Sequence, residues 1–123
     1  MKLNHINLVV INVLTAIDLF GKYFGFTCIE TKGNNAVAVL KGADDFTLVL
    51  MSAKDNELVY PQAFHIGFMR ETIEEVNEIH SKLKNAGFEV GPEPKKIRDS
   101  FGFYFTFENI MIEVGHYLAL SEQ

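Results

Sequence analysis

Apolar and polar residues alternate over positions 2 to 11, with Ile6, Leu8 and Val10 on one side and Leu3, His5, Asn7 and Val9 on the other. A period of two predicts a half-buried strand. The period then lengthens: Ala16, Ile17, Phe20, Tyr23 and Phe24 recur at three- and four-residue spacing, with Asn12 placed to cap a helix at its start and Gly25 to stop it. Three short strands are expected next, at about Phe26 to Lys32, Asn35 to Lys41 and Phe46 to Ser52, with Gly33-Asn34 and Gly42-Ala43-Asp44 as the turns between them.

The polar stretch from Ala53 to Pro61 interrupts this pattern, after which Phe64, Ile66 and Phe68 alternate with Ala63, His65, Gly67 and Met69. Thr72 followed by Glu75 makes a capping box, and Ile73, Val76, Ile79, Leu83 and Ala86 form an apolar stripe that ends among Lys82, Lys84 and Gly87. Strands are expected again from Phe88 to Val90 and onward, at Phe101 to Phe107, and at Ile110 to Tyr117. The order strand, helix, three strands thus occurs twice, and matching points support a repeat: His65 follows His5 by sixty positions, and Gly87-Phe88 follows Gly25-Phe26 by sixty-two. The expected fold class is α+β, with two tandem βαβββ modules at about 1–53 and 62–120 joined by a linker at 54–61 within a single domain, 1–123.

Length and composition agree with that size and exclude several functions. A chain of 123 residues and 48% hydrophobic content buries an ordinary core without staples, and its 11 basic and 16 acidic residues give a net charge of −5 with no long run of either sign. Nucleic acid is not an expected partner. No stretch approaches the length of a membrane span, no cleavage signal follows the first apolar run, and the single Cys28 has no intrachain disulfide partner, so a reducing, cytoplasmic setting is expected.

Three potential metal ligands fall at corresponding places in the repeat: His5 and His65 on the first strand of each half, and Glu113 on the last strand of the second. By alternation all three lie opposite the residues that pack under the helices, on the open faces. Two imidazoles and one carboxylate hold a divalent ion while leaving positions for water or substrate. A histidine on a strand is more often a hydrogen-bonded core residue; its recurrence at equivalent points of a repeat favours the ligand role.

The segments LNHINLVV, FGKYFGF, AFHIGF, LKNAGFEV and GFYFTFENIMIEV occur here in the order seen in the vicinal oxygen chelate superfamily, which the chain resembles over nearly its whole length. That superfamily includes glyoxalase I, bleomycin-resistance proteins, fosfomycin-resistance transferases and extradiol dioxygenases. The resemblance implies a curled mixed sheet built from both modules, a homodimer, and His5, His65 and Glu113 as ligands of one divalent ion: Fe(II), Mn, Ni, Co or Zn. It also implies a metalloenzyme in which that ion acts as Lewis acid on a small oxygen-bearing substrate, by lyase or isomerase chemistry, thiol transfer or oxygenation. The alternative is a metal-free binding protein like the bleomycin-resistance branch.

Three departures from the family pattern matter. The fourth ligand position falls at Val49 or Leu50, neither of which binds a metal, and this argues against glyoxalase I activity. From Val114 to Gln123 there is no Lys or Arg to grip a phosphonate, which argues against fosfomycin as substrate. The turn before the last strand, Phe107-Glu108-Asn109, is shorter than in many members and is expected to be a tight hairpin.

By position in the family, Tyr104 and a loop bearing Lys95, Lys96, Arg98 and Ser100 are expected near the site, where they would hold an anionic or carbonyl oxygen; a solvated basic loop is the plain alternative. Asn7 shares a face with His5 and is expected to orient a ligand or water, or else to make a strand-edge hydrogen bond. His80 is placed near the polar margin of the second helix, and His116 on the helix-facing side of the last strand. The row Phe101, Phe103, Phe105 and Phe107 is expected to form core or a dimer interface, with a pocket wall as the other use.

Overall fold

Asn12 caps the first helix, its side chain accepting from the Thr15 amide at 3.0 Å, and Gly25 ends it in the left-handed region at φ 74°. In the computed structural model, which describes residues 1–54 and 57–119, this helix is α1 (Val13–Phe24), between strand β1 (His5–Val10) and strands β2 (Thr27–Lys32), β3 (Val37–Lys41) and β4 (Thr47–Ser52). The second half repeats the order as β5 (His65–Met69), α2 (Ile73–Asn85), β6 (Lys95–Ile97), β7 (Ser100–Phe107) and β8 (Ile110–Tyr117). Positions 55 and 56 of the expected linker, and position 120 at the expected end of the second module, lie outside the described residues.

The chain divides into two compact units, Met1–Val59 and Tyr60–Gln123. Each holds one four-stranded sheet, ordered β1-β4-β3-β2 in the first and β5-β8-β7-β6 in the second. In both, the first strand lies parallel to the last, and the other pairs are antiparallel. This is the βαβββ module expected twice over.

Alternation sorts the faces as the period of two requires. In the first unit Leu8, Val10, Ala38, Leu40, Leu48 and Leu50 are buried with Ala16, Leu19 and Phe20 of α1. In the second, Phe103, Phe105, Phe107, Ile110, Ile112 and Val114 are buried with Val76 and Leu83 of α2. Three of the four phenylalanines in the β7 row are therefore core, with Phe101 partly exposed at its end. The opposite face of each sheet carries the candidate ligands.

Three expectations need correction. No strand forms at Phe88 to Val90: Val90 is buried and Phe88 meets Phe105 edge-on, so these residues are apolar because they pack, and Gly91 at φ 68° turns the chain away. The strand forms later, at Lys95–Ile97, so Lys95 and Lys96 belong to a charged edge strand rather than a loop. His80 is not at a polar margin. It is 2% exposed, its ring stands edge-on to Phe103, and its Nε2 meets the Pro92 carbonyl at 3.0 Å.

Candidate metal centre

The two-residue turn between β7 and β8 sets the site's register. Glu108 and Asn109 both have positive φ, 48° and 69°, the type I′ geometry whose twist suits a tight hairpin, and Phe107 pairs with Ile110 across it. Three residues further along each strand, Tyr104 pairs with Glu113, and on its other side Glu113 pairs with Gly67 in the parallel β5–β8 ladder. Glu113 is thus at the centre of an open-face row, Gly67-Glu113-Tyr104, while its neighbours Ile112 and Val114 are buried under α2.

His65 joins this row from two residues before Gly67 on β5. Its Nε2 lies 3.5 Å from Glu113 Oε1, and its ring stands edge-on to Tyr104 with centroids 5.7 Å apart. On the far side of the ring, Nδ1–H donates to the Ala63 carbonyl at 3.1 Å, which in the neutral imidazole leaves the lone pair on Nε2. Two lone-pair acceptors then face each other, an arrangement stabilised by a proton or a cation between them. The Glu113 side chain is 19% exposed and that of His65 41%, so water does not fully screen the pair.

Tyr104 remains a phenol here. Burial first, then the Glu113 charge and the hydrogen bond to that carboxylate, push its hydroxyl above the ordinary 10, while the Arg98 charge pulls the other way. The hydroxyl therefore donates to Glu113 and orients it. Arg98 sits at φ 54° in the β6–β7 turn and, with His65, Ile97, Tyr104 and Glu113, lines a cleft of about 510 Å³. Ser100 also lines it but is committed to the turn, its hydroxyl donating to the Ile97 carbonyl at 3.1 Å. Lys95 and Lys96 are not among the cleft's lining residues.

The first unit presents a related arrangement. His5 opens β1 as His65 opens β5, and its Nδ1–H donates to Asn4 Oδ1 at 2.7 Å, again leaving Nε2 available. It borders a separate cleft of about 430 Å³ with Asn4, Lys41, Asp44 and Thr47. The residue matching Glu113 is Val49, which pairs with Asn7 as Glu113 pairs with Gly67; Leu50 points into the core. Asn7 is engaged across the strands, its amide donating to Met51 Sδ at 2.9 Å. His116 Nδ1 meets the Arg70 carbonyl at 3.1 Å.

Among the described residues no cluster of three or more His, Cys, Asp or Glu is assembled within metal-binding reach. The second unit brings His65, Glu113 and Tyr104 together, and His5 stands in the first. Sequence reasoning missed Gly67, although a glycine inside an alternating strand two residues from a candidate ligand signals a close approach.

A model of the Glyoxalase/Bleomycin resistance protein/Dioxygenase superfamily matches residues 2–114. The chain belongs to that superfamily. Among solved structures, a possible glyoxalase from Bacillus cereus is 43% identical, with a TM-score of 0.82 over 93% of this chain and 97% of that one. The genomically encoded fosfomycin resistance protein FosX from Listeria monocytogenes is 24% identical, with a TM-score of 0.78 over 99% of this chain and 97% of its own, and shares the fold. A FosX variant complexed with Mn(II) and 1S,2S-dihydroxypropylphosphonic acid aligns at 24% identity and a TM-score of 0.75, over 98% of this chain and 93% of its own. No match is found among curated protein sequences. The superfamily includes metalloenzymes, and no helix among the described residues is long and apolar enough to cross a membrane.

Proposed function

We propose that this superfamily member is a metal-dependent enzyme that holds one divalent ion through His5, His65 and Glu113 and acts on a small, oxygen-bearing, anionic substrate. The observation that carries the reading is the facing pair His65 Nε2 and Glu113 Oε1 at 3.5 Å, each with a lone pair and each oriented by a further hydrogen bond. That donor set fits a divalent ion and lacks one ligand. His5 is the proposed third, because it matches His65 in strand position and in the nitrogen it leaves free. Whether it comes from the same chain or from the second copy of a homodimer, the ligand set is the same.

When bound, the ion would supply Lewis-acid polarisation of a substrate oxygen. The chain's own residues do the rest. Arg98, which lines the cleft, binds the anionic group, since a guanidinium offers paired donors to a carboxylate. Tyr104, protonated at neutral pH, holds Glu113 in place and donates rather than accepts a proton. Val49 leaves the position matching Glu113 without a proton acceptor, which favours addition or oxygen transfer over an isomerisation that needs a second carboxylate there.

Metal content of protein purified without tag or chelator tests the reading, with Mn(II), Fe(II), Ni, Co and Zn loaded in turn. About one ion per chain is expected in the wild type, and none in folded His65→Ala/Glu113→Gln or His5→Ala variants. Failure of every ion to bind the wild type would overturn it and leave a metal-free small-molecule binding protein.

A further inference from the structure

We infer that Gly67 is a positioning residue for the donor pair: the missing side chain at this point of β5 is what allows the Glu113 carboxylate to lie across the strand and reach His65. The inference deepens the reading above in naming what aims Glu113, yet it concerns geometry that exists without any ion.

Gly67 is not required by its backbone. The glycines with positive φ are Gly25, Gly33, Gly87 and Gly91, so Gly67 lies in a conformation open to any residue, in a strand interior where glycine weakens the ladder. Its value lies in the space above it. A Cβ at this position would sit 3.4 Å from Glu113 Oε1 and 3.8 Å from Glu113 Cβ, with no other atom within 4 Å. The single neighbour of the absent side chain is therefore the carboxylate itself, on the oxygen that faces His65. A methyl group just touches it, and a larger group that branches towards Glu113 competes for its place.

The first unit shows the occupied case. There Asn7 stands where β5 has Gly67, and its side chain extends across β4 to Met51 Sδ, over the strand that carries Val49. The row with a side chain on its first strand has no carboxylate, and the row without one has Glu113. Tyr104 holds the carboxylate from the β7 side, and Gly67 leaves it room on the β5 side.

Gly67→Ala, Gly67→Ser and Gly67→Val in the full chain test this, each read by melting temperature, by a metal-free crystal structure and by calorimetric titration with Mn(II). In Gly67→Val the melting temperature should hold or rise, since valine favours strands, while the His65–Glu113 contact opens and the Mn(II) Kd increases about 10- to 100-fold. Gly67→Ala should change both little, and Gly67→Ser should fall between. A purely structural glycine would give the reverse, lost stability with the contact intact. If Gly67→Val does not fold, the serine variant decides. Retention of the 3.5 Å contact in the largest folded variant would overturn the inference. Should wild-type protein bind no Mn(II) or other ion, the proposed function falls, and the metal-free crystal structures still decide the role of Gly67.

Discussion

Tyr104 and Glu113 face each other directly across the β7–β8 ladder, and the phenol donates to the carboxylate from the side opposite Gly67. The rings of Tyr104 and His65 also meet at a steep angle with centroids 5.7 Å apart, so one tyrosine touches both donors of the candidate centre. Tyr104→Phe keeps the ring and removes the hydroxyl. It should weaken divalent-ion binding about tenfold, the usual consequence of losing a ligand's orienting partner, with a stability loss of about 1 kcal/mol or less for a partly exposed hydrogen bond. Calorimetric titration and urea unfolding measure the two effects, and an unchanged ion affinity would remove Tyr104 from the centre.

The same pair dictates an alkaline pH dependence. Folding raises the Tyr104 hydroxyl above 10, so over the interval from 10 to the raised value the folded chain keeps a proton that the unfolded chain has released. Its contribution to stability is intact below pH 10 and is lost as the pH climbs through the raised value. Tyrosinate absorbance, compared with Tyr104→Phe to isolate one of the four tyrosines, follows the titration. Glu113→Gln should bring the value down and Arg98→Ala should move it further up, because the carboxylate raises it and the guanidinium lowers it. Shifts in the same direction for both variants would contradict this account of the row.

His80 separates a structural histidine from a ligand. Buried beneath Phe103 and bonded to the Pro92 carbonyl, it joins α2 to the segment that replaces the expected strand at Phe88 to Val90. His80→Leu preserves bulk but leaves that carbonyl unpaired, so a loss of roughly 1–3 kcal/mol is expected in urea unfolding, with ion uptake unchanged. Lost ion binding at full stability would reverse the assignment.

The hairpin that sets Glu113 in register carries one residue poorly suited to it, Glu108. Glu108 and Asn109 both occupy the left-handed region, which suits asparagine and glycine. Glu108→Asn/Asn109→Gly should raise stability by about 1 kcal/mol in chemical unfolding and leave the Phe107–Ile110 pairing and ion binding as they are. A fall in stability would show that the native pair makes compensating contacts.

Much of this architecture was legible because local chemistry and burial agree. Asn12 and Thr72 cap the helices that the apolar spacing outlines, and the short turn before Ile110 puts Glu113 opposite the buried Ile112 and Val114. Misreadings arose where burial and ladder pairing part company. Phe88 and Val90 are apolar through packing without a strand, while Lys95 and Lys96 form a strand because an edge tolerates charge. His80 lies four residues after Val76 and three before Leu83, both core, so the helical period marks it as buried despite its polarity. That His65 and Glu113 share a site was expected from the resemblance, but their direct contact was not legible, since alternation assigns a face but not which rotamer a carboxylate takes over a neighbouring glycine.

The repeat itself supplies the last prediction. Row for row, Asn7-Val49-Val39 in the first unit matches Gly67-Glu113-Tyr104 in the second, and His5 matches His65. If an empty first position is what lets a carboxylate reach its histidine, the first row can be converted. Val49→Glu alone places a carboxylate beside the Asn7 amide, which would leave Met51 and bind it instead. Adding Asn7→Gly clears that place, and the new carboxylate should then turn towards His5. Divalent-ion affinity should therefore rise about tenfold in the double variant and little in Val49→Glu, with a change in the visible spectrum of the Co(II)-loaded protein marking an added ligand. Equal affinities in both variants would mean that the first position of the row does not control the carboxylate.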